Sequence, residues 1–350
     1  MDFLIGAILA QDGITSGAIY ALLALALVLV FSVTRIVFIP QGEFVAYGAL
    51  TMAMLQLNRF PLTTWLLVGM GVLTFLVELG STLRNAELRA RAGRLVPVLA
   101  GKYLAFPIAI FILTQLAAPQ TLPLIAQAAL TLAIVVPMGP MLYRLAYKPL
   151  ENATVLVLLI ASVGIHFALL GLGLVMFGAD GYRAKAFTDA QFALGTVTIS
   201  GQSLIVVAVA AVMIVALYLY FGRTLPGKAL RATAVNPAGA RLVGIGTAQA
   251  GKLAITLAVA IGALCGILIV PLTTIYYDTG FLIALKGFVG AIFGGLASYP
   301  LAAVGALLVG LLESYSSFWA SAFKEVIVFT LIIPVLMWRS LMNPHSDDHE

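Results

Sequence analysis

From Ala21 to Phe31 the chain reads ALLALALVLVF, eleven successive positions without a polar side chain. Comparable apolar runs recur around 14–34, 63–83, 123–143, 153–178, 201–221, 252–275 and 324–340. A bilayer core takes about 20 apolar residues in helical form. A membrane β-barrel would instead show segments of about 10 residues alternating apolar with polar. No such alternation runs through these stretches, so the pattern predicts an all-α, polytopic bundle. Shorter runs near 41–59, 102–119, 283–298 and 300–319 bring the expected total to about 9–11 membrane segments. The runs covering 36–60 and 283–300 are short or broken by glycine, and are read as candidate re-entrant pieces lining a cavity.

Composition sharpens this picture. Apolar residues make up 62% of the 350 positions and charged residues 9%, with a mean hydropathy of +1.10. A soluble domain carries about 25% charged residues, so most of this chain's outer surface must face lipid. The 33 glycines are read chiefly as packing positions, since small residues let membrane helices approach closely. The lone Cys265 sits in an apolar run and supports neither a disulfide nor a metal motif. His166, His345 and His349 lie too far apart for metal-ligand spacing, and His166 is read as a hydrogen-bonded core histidine. No metal, cofactor or catalytic constellation is expected. Met1-Asp2 lacks the basic start of a cleavable signal, so the first run is read as a retained helix.

The cations are unevenly placed. One window holds Arg84, Arg89, Arg91, Arg94 and Lys102 against Glu87; another holds Arg223, Lys228, Arg231, Arg241 and Lys252 against no acid. Arg144 and Lys148 with Glu151 form a smaller cluster. The positive-inside rule places all three in the cytoplasm. It puts 179–200 and 276–286 outside, the N-terminus outward and the C-terminus inside. The same rule accounts for the basic balance without nucleic acid. The reading is one membrane domain over 1–342, with 343–350 as a polar tail. Glu78 and Glu313 fall near predicted helix ends and are expected to reach the interface.

Gly222 to Ala229 matches seven of the eight positions of a phosphate-binding loop. Ala229 stands where a magnesium-binding hydroxyl is required, so the chain is expected to have no ATPase of its own. The same window reads better as two short helices, Pro226–Val235 and Pro237–Val243, with Asn236 as N-cap and Pro237 at the first helical position. Arg231 and Arg241 would lie on solvent faces. The window is either a plain cationic loop or, on the functional reading, a rigid cytoplasmic coupling surface over 223–251 bearing Gly227, Lys228, Arg231, Asn236, Pro237, Arg241 and Gly244.

Two glycine-bearing segments are candidates for a solute path: Gln41-Gly42-Glu43, and Lys286 with Gly290, Gly294 and Gly295. Ionisable groups in such runs usually face a cavity or pair with one another. Interrupted helices in two halves of a transporter point to the binding site. The alternative for Glu43 is a carboxylate capping a helix N-terminus near the interface.

The order Thr34-Arg35-Ile36, Gln41-Gly42-Glu43-Phe44, Gly227-Lys-Ala-Leu-Arg231-Ala, Gly244-Ile245, Leu285-Lys286-Gly-Phe and Ile292-Phe-Gly-Gly-Leu-Ala-Ser298 resembles the permease subunits of bacterial branched-chain amino acid ABC importers, in particular the LivH-like member. The resemblance covers nearly the whole chain except about 63–120, which looks like an added helix pair. It implies an inner-membrane importer working by alternating access. It also implies a second, LivM-like permease, two cytoplasmic ATPase subunits and a periplasmic substrate-binding protein. Where such members read Asn-Phe-Ala-His-Gly-Glu, this chain has Phe38-Ile-Pro-Gln41-Gly42-Glu43. That change leaves urea, short amides and small aromatic acids open beside branched-chain amino acids. A stand-alone secondary transporter or channel is the alternative from a different class. A membrane-embedded enzyme lacks the paired carboxylates or histidines it would need.

Overall fold

Among the described residues of the computed structural model, nine helices are long and apolar enough to cross a membrane. The structure describes residues 3–84, 92–117, 120, 122–151, 153–194 and 197–342. The tail 343–350 and residues 85–91 of the first basic window, including Arg89 and Arg91, lie outside them.

Helix α1 (Phe3–Thr34) is the axis of the bundle. It is buried along most of its length from Ala18 to Val33. The predicted start near residue 14 was too late. Gln11, Asp12 and Gly13 look like a break, yet the backbone runs through them. Behind α1 come α2 (Gln41–Gln56), α3 (Thr63–Arg84), α4 (Ala92–Ala100) and α5 (Phe106–Ala117). Then follow α6 (Leu124–Val135), α7 (Met138–Leu142), α8 (Val155–Phe177), α9 (Gly201–Arg223), α10 (Leu225–Val235) and α11 (Pro237–Leu242). The chain continues through α12 (Thr247–Ile269), α13 (Thr279–Phe293), α14 (Tyr299–Trp319), α15 (Lys324–Thr330) and α16 (Ile332–Met342). Helices α12, α13 and α14 pack around α1, and α2 packs on α12 and α13. Helices α4 and α5 both pack on α3 at the margin, where the 63–120 pair was expected.

Helices α4 with α5, α6 with α7 and α15 with α16 run on into one another to make membrane-length spans, whereas α2 and α13 stand alone and fall short of a full crossing. At about 1.5 Å per residue, the 16 residues of α2 and the 15 of α13 span little more than 20 Å each. Helix α2 starts partway along the bundle, because Gln41 Nε2 donates to the carbonyl of Leu23, eleven residues before the end of α1. The chain reverses at Arg35 (φ 59°) and climbs back along α1 before α2 begins. The first turn of α13 meets the first turn of α2: a Cβ added to Gly280 would stand 2.0 Å from the Gly42 carbonyl oxygen. No side chain fits there, and overpacking costs about 1–3 kcal/mol even where side chains can give way. Gly280→Val is therefore expected to lower the melting temperature of the detergent-purified protein strongly. Gly164→Ala, whose Cβ meets nothing within 4 Å, should leave it unchanged or raise it. Equal melting of the two variants would show that this contact does not hold the bundle.

The predicted outward segment 179–200 is more ordered than a loop. Strands β1 (Gln191–Leu194) and β2 (Val197–Ser200) form an antiparallel hairpin, with Gln191 opposite Ser200 and Leu194 opposite Val197. Tyr182 bridges to Ile275. The Gln56 side chain accepts from the Lys185 amide at 2.6 Å, and Arg183 donates to the carbonyls of Pro271 (3.1 Å) and Leu272 (3.2 Å). The far ends of α2 and α12 are thus strapped together. Cys265 is fully buried on α12, facing the Ile19 carbonyl.

Candidate functional site

The first turn of α2 carries Gln41, Gly42 and Glu43, all buried. Glu43 Oε1 lies 2.8 Å from His166 Nδ1. His166 reaches it because α8 buries one stripe, Leu158, Ser162, His166, Leu169, Gly173 and Phe177, at helical spacing. The imidazole packs on the Phe281 ring at the start of α13, centroids 4.6 Å apart. It also borders a cavity of about 410 Å³ with Leu27, Phe38, Val163, Phe281 and Leu285. Of the two expectations for Glu43, pairing is what the geometry shows; its place in the first turn of α2 adds a favourable dipole interaction. The carboxylate has an imidazole beside it, supplied by α8 rather than by the residues preceding it. Glu43 Oε2 and Gln41 Oε1 are buried and have no hydrogen-bond partner among the described residues.

Lys286 belongs to a second group. Its side chain is 7% exposed. Nζ donates to Glu313 Oε1 on α14 and to Glu325 Oε1 on α15 at 3.1 Å. The Tyr20 hydroxyl of α1 donates to Glu313 Oε2 at 2.5 Å. Glu313, expected near an interface, neutralises a buried ammonium from one side and lines an open pocket with the other. Glu325 was missed. The usable signal was Lys286 itself, since a cation in an apolar run requires a carboxylate and few acids stand in the neighbouring helices. Glu78 likewise pairs inward, accepting from Arg144 Nη2 at 2.6 Å.

The proposed path residues thus divide into two places along α1. Gln41 bonds to Leu23, and Gly287, next to Lys286, abuts Leu23 and Tyr20. Glu43 and Lys286 each have partners of their own. Gly290 packs on Ala306, and Gly294 on Ser298 and Ala302, where α13 turns into α14. Gly295 takes φ 60° within that turn.

The basic window 223–252 forms the two short helices expected. Thr224 caps α10 by accepting from the Gly227 amide at 3.1 Å, and Asn236 Oδ1 caps α11 by accepting from Gly239 at 2.9 Å. Pro237 opens α11. Gly244 takes φ 83° just beyond its end. Lys228, Arg231 and Arg241 are exposed. Arg241 donates to Thr247 at 2.9 Å and stands 3.6 Å from Glu151, which ties the pair of helices to the connection after α7. Leu225 (83%), Val235 (87%) and Leu242 (89%) are almost wholly bare.

A multi-helix membrane bundle with buried ionic groups along its central helix and a capped helix pair at one end is the architecture of a membrane transport subunit. The family described as branched-chain amino acid transport system permease component matches residues 9–336, and the chain belongs to that family. Its permeases are transport subunits rather than enzymes, with ATPase activity in separate subunits. The chain is 30% identical over 251 residues to the high-affinity branched-chain amino acid transport system permease protein BraD of Pseudomonas aeruginosa, covering 68% of this chain and 80% of that one. It is 28% identical over 201 residues to the LivH permease of Escherichia coli, covering 55% of this chain and 65% of that one. It is 31% identical over 186 residues to the probable LivH of Methanocaldococcus jannaschii, covering 51% and 59%. No solved structure matches it significantly.

Proposed function

We propose that this chain is the permease subunit of an ABC importer of the bacterial inner membrane, passing branched-chain or related amino acids by alternating access. Its partners are a LivM-like permease, two cytoplasmic ATPase subunits and a periplasmic binding protein. Its N-terminus faces outward and its C-terminus the cytoplasm. The observation that carries this reading is the α10–α11 pair: three large apolar side chains left bare on a cation-rich, capped knob outside the long apolar helices. Burial of such side chains in a partner is worth about 1.5–3 kcal/mol each, whereas a free connection needs only a few residues. Gln41, Gly42, Glu43 and Lys286 line the moving parts of the path, and residues 223–251 receive the stroke. In liposomes, amino acid uptake is expected to require ATP and both ATPase subunits. Transport by this chain alone would overturn the assignment in favour of a stand-alone carrier.

A further inference from the structure

The Lys286 cluster has an open side. A pocket of about 410 Å³ between α1, α14 and α15 is walled by Asp12, Ser16, Glu313, Ser314, Ser317 and Lys324, with Leu9 and Phe318 as its apolar edges. Its size falls within the range of small-molecule sites, about 300–1,000 Å³. Glu313 is shared: one face meets Lys286 and Tyr20, the other the pocket. Asp12 and Lys324 line the same space, and neither has an ion-pair partner among the described residues. Ser314 donates to the Leu9 carbonyl at 2.7 Å, which leaves its oxygen free to accept.

Position supports a role in solute entry. Asp12 lies 22 residues before Thr34, the last residue of the same helix, about 33 Å along its axis, and Arg35 follows directly. Arg35 lines a cavity with Arg231 of α10 and with Tyr299 at the opposite end of α14. The pocket therefore sits at the end of the bundle away from the coupling pair, where a solute delivered from outside would arrive.

The charges select the solute's chemistry. A lone carboxylate ligand would meet Asp12 and Glu313 as like charges; a lone amine would leave Lys324 without a partner. A group carrying both signs a few ångströms apart satisfies both walls. We propose that this pocket is the outward-facing site for the charged backbone of a zwitterionic α-amino acid. The ammonium stands against Asp12 and Glu313, the carboxylate against Lys324 and Ser317, and the side chain toward Leu9 and Phe318. The inference rests on the importer reading and adds where on this chain the solute is first held and which residues recognise its two charges.

The test uses the complete transporter in nanodiscs without binding protein, and radiolabelled leucine, 3-methylbutylamine and 4-methylpentanoate as probes. Wild type is expected to bind leucine about tenfold or more tighter than either singly charged analogue, the scale of one charge-assisted hydrogen bond. Lys324→Met should weaken leucine and the acid but not the amine; Asp12→Asn should weaken leucine and the amine but not the acid. Both residues stand outside the buried cluster, and unaltered elution of the complex checks its assembly. A non-specific structural role would weaken all three probes together. Equal binding of the three probes by wild type, absence of leucine binding, or indifference of both variants would overturn the proposal. The same complex in liposomes separates the two ideas: failure of ATP-driven uptake by wild type counts against the importer reading, not against the pocket.

Discussion

Replacing both Arg231 and Arg241 with glutamate is expected to cut ATP-driven uptake about a hundredfold or more while leaving the permease folded. The two side chains are exposed, so neither is needed to fill the core. The one ion pair lost, Arg241 with Glu151, is largely exposed, and such pairs contribute at most about 1 kcal/mol. Arg241 also leaves Thr247 without its donor, another small loss at a wet site. Docking is another matter. Reversing two charges on a surface matched to a partner places like charges face to face, at several kcal/mol, and about 2.7 kcal/mol is already a hundredfold. Uptake in vesicles, paired with size-exclusion profiles of the purified permease, separates the outcomes. Normal uptake by the double variant would remove the coupling role; aggregation would reduce it to a structural one.

Lys286→Met is expected to have the largest effect on stability. The substitution keeps the length and apolar stem of the side chain but strips the shared cation from Glu313 and Glu325. Breaking a buried pair by removing one partner costs about 3–5 kcal/mol, because an uncompensated charge remains. The double variant Lys286→Met/Glu313→Leu should recover most of that loss, since Glu325 is partly exposed and can turn to water. Thermal melting in detergent measures both. A single variant as stable as wild type, or a double variant less stable than the single one, would show that the cluster does not hold α13 to α14.

The long helices were legible because an apolar run of 20 residues has few alternatives in lipid, and α8, α9 and α12 fall close to where their runs place them. Helix ends were harder. Gln11-Asp12-Gly13 reads as a stop, but Gly13 and Gly17 let α14 press against α1 at Leu311 and Leu307, and that packing carries the helix through. Asn236 and Pro237 announced α11, because capping is a local interaction written within four residues; α10 was read from Pro226, and its cap Thr224 went unnamed. The hairpin at 191–200 was missed. Its strands have four residues each, too few to declare a period, and the anchors that order this region come from Gln56 and Ile275. Partner choice among the ionic groups was equally hidden. His166 comes to Glu43 from 123 positions away, and Glu313 and Glu325 reach Lys286 from 27 and 39. Spacing along the chain cannot report such meetings; the rule that a buried charge needs a counter-charge narrows the candidates without choosing among them.

Cys265, sealed between α12 and α1, makes the natural chain silent toward thiol reagents. Any cysteine introduced elsewhere becomes the sole reactive sulfur. A Lys228→Cys variant probed with membrane-impermeant maleimide on intact cells, and again on inverted vesicles, would give the sidedness of the lever with no background to subtract.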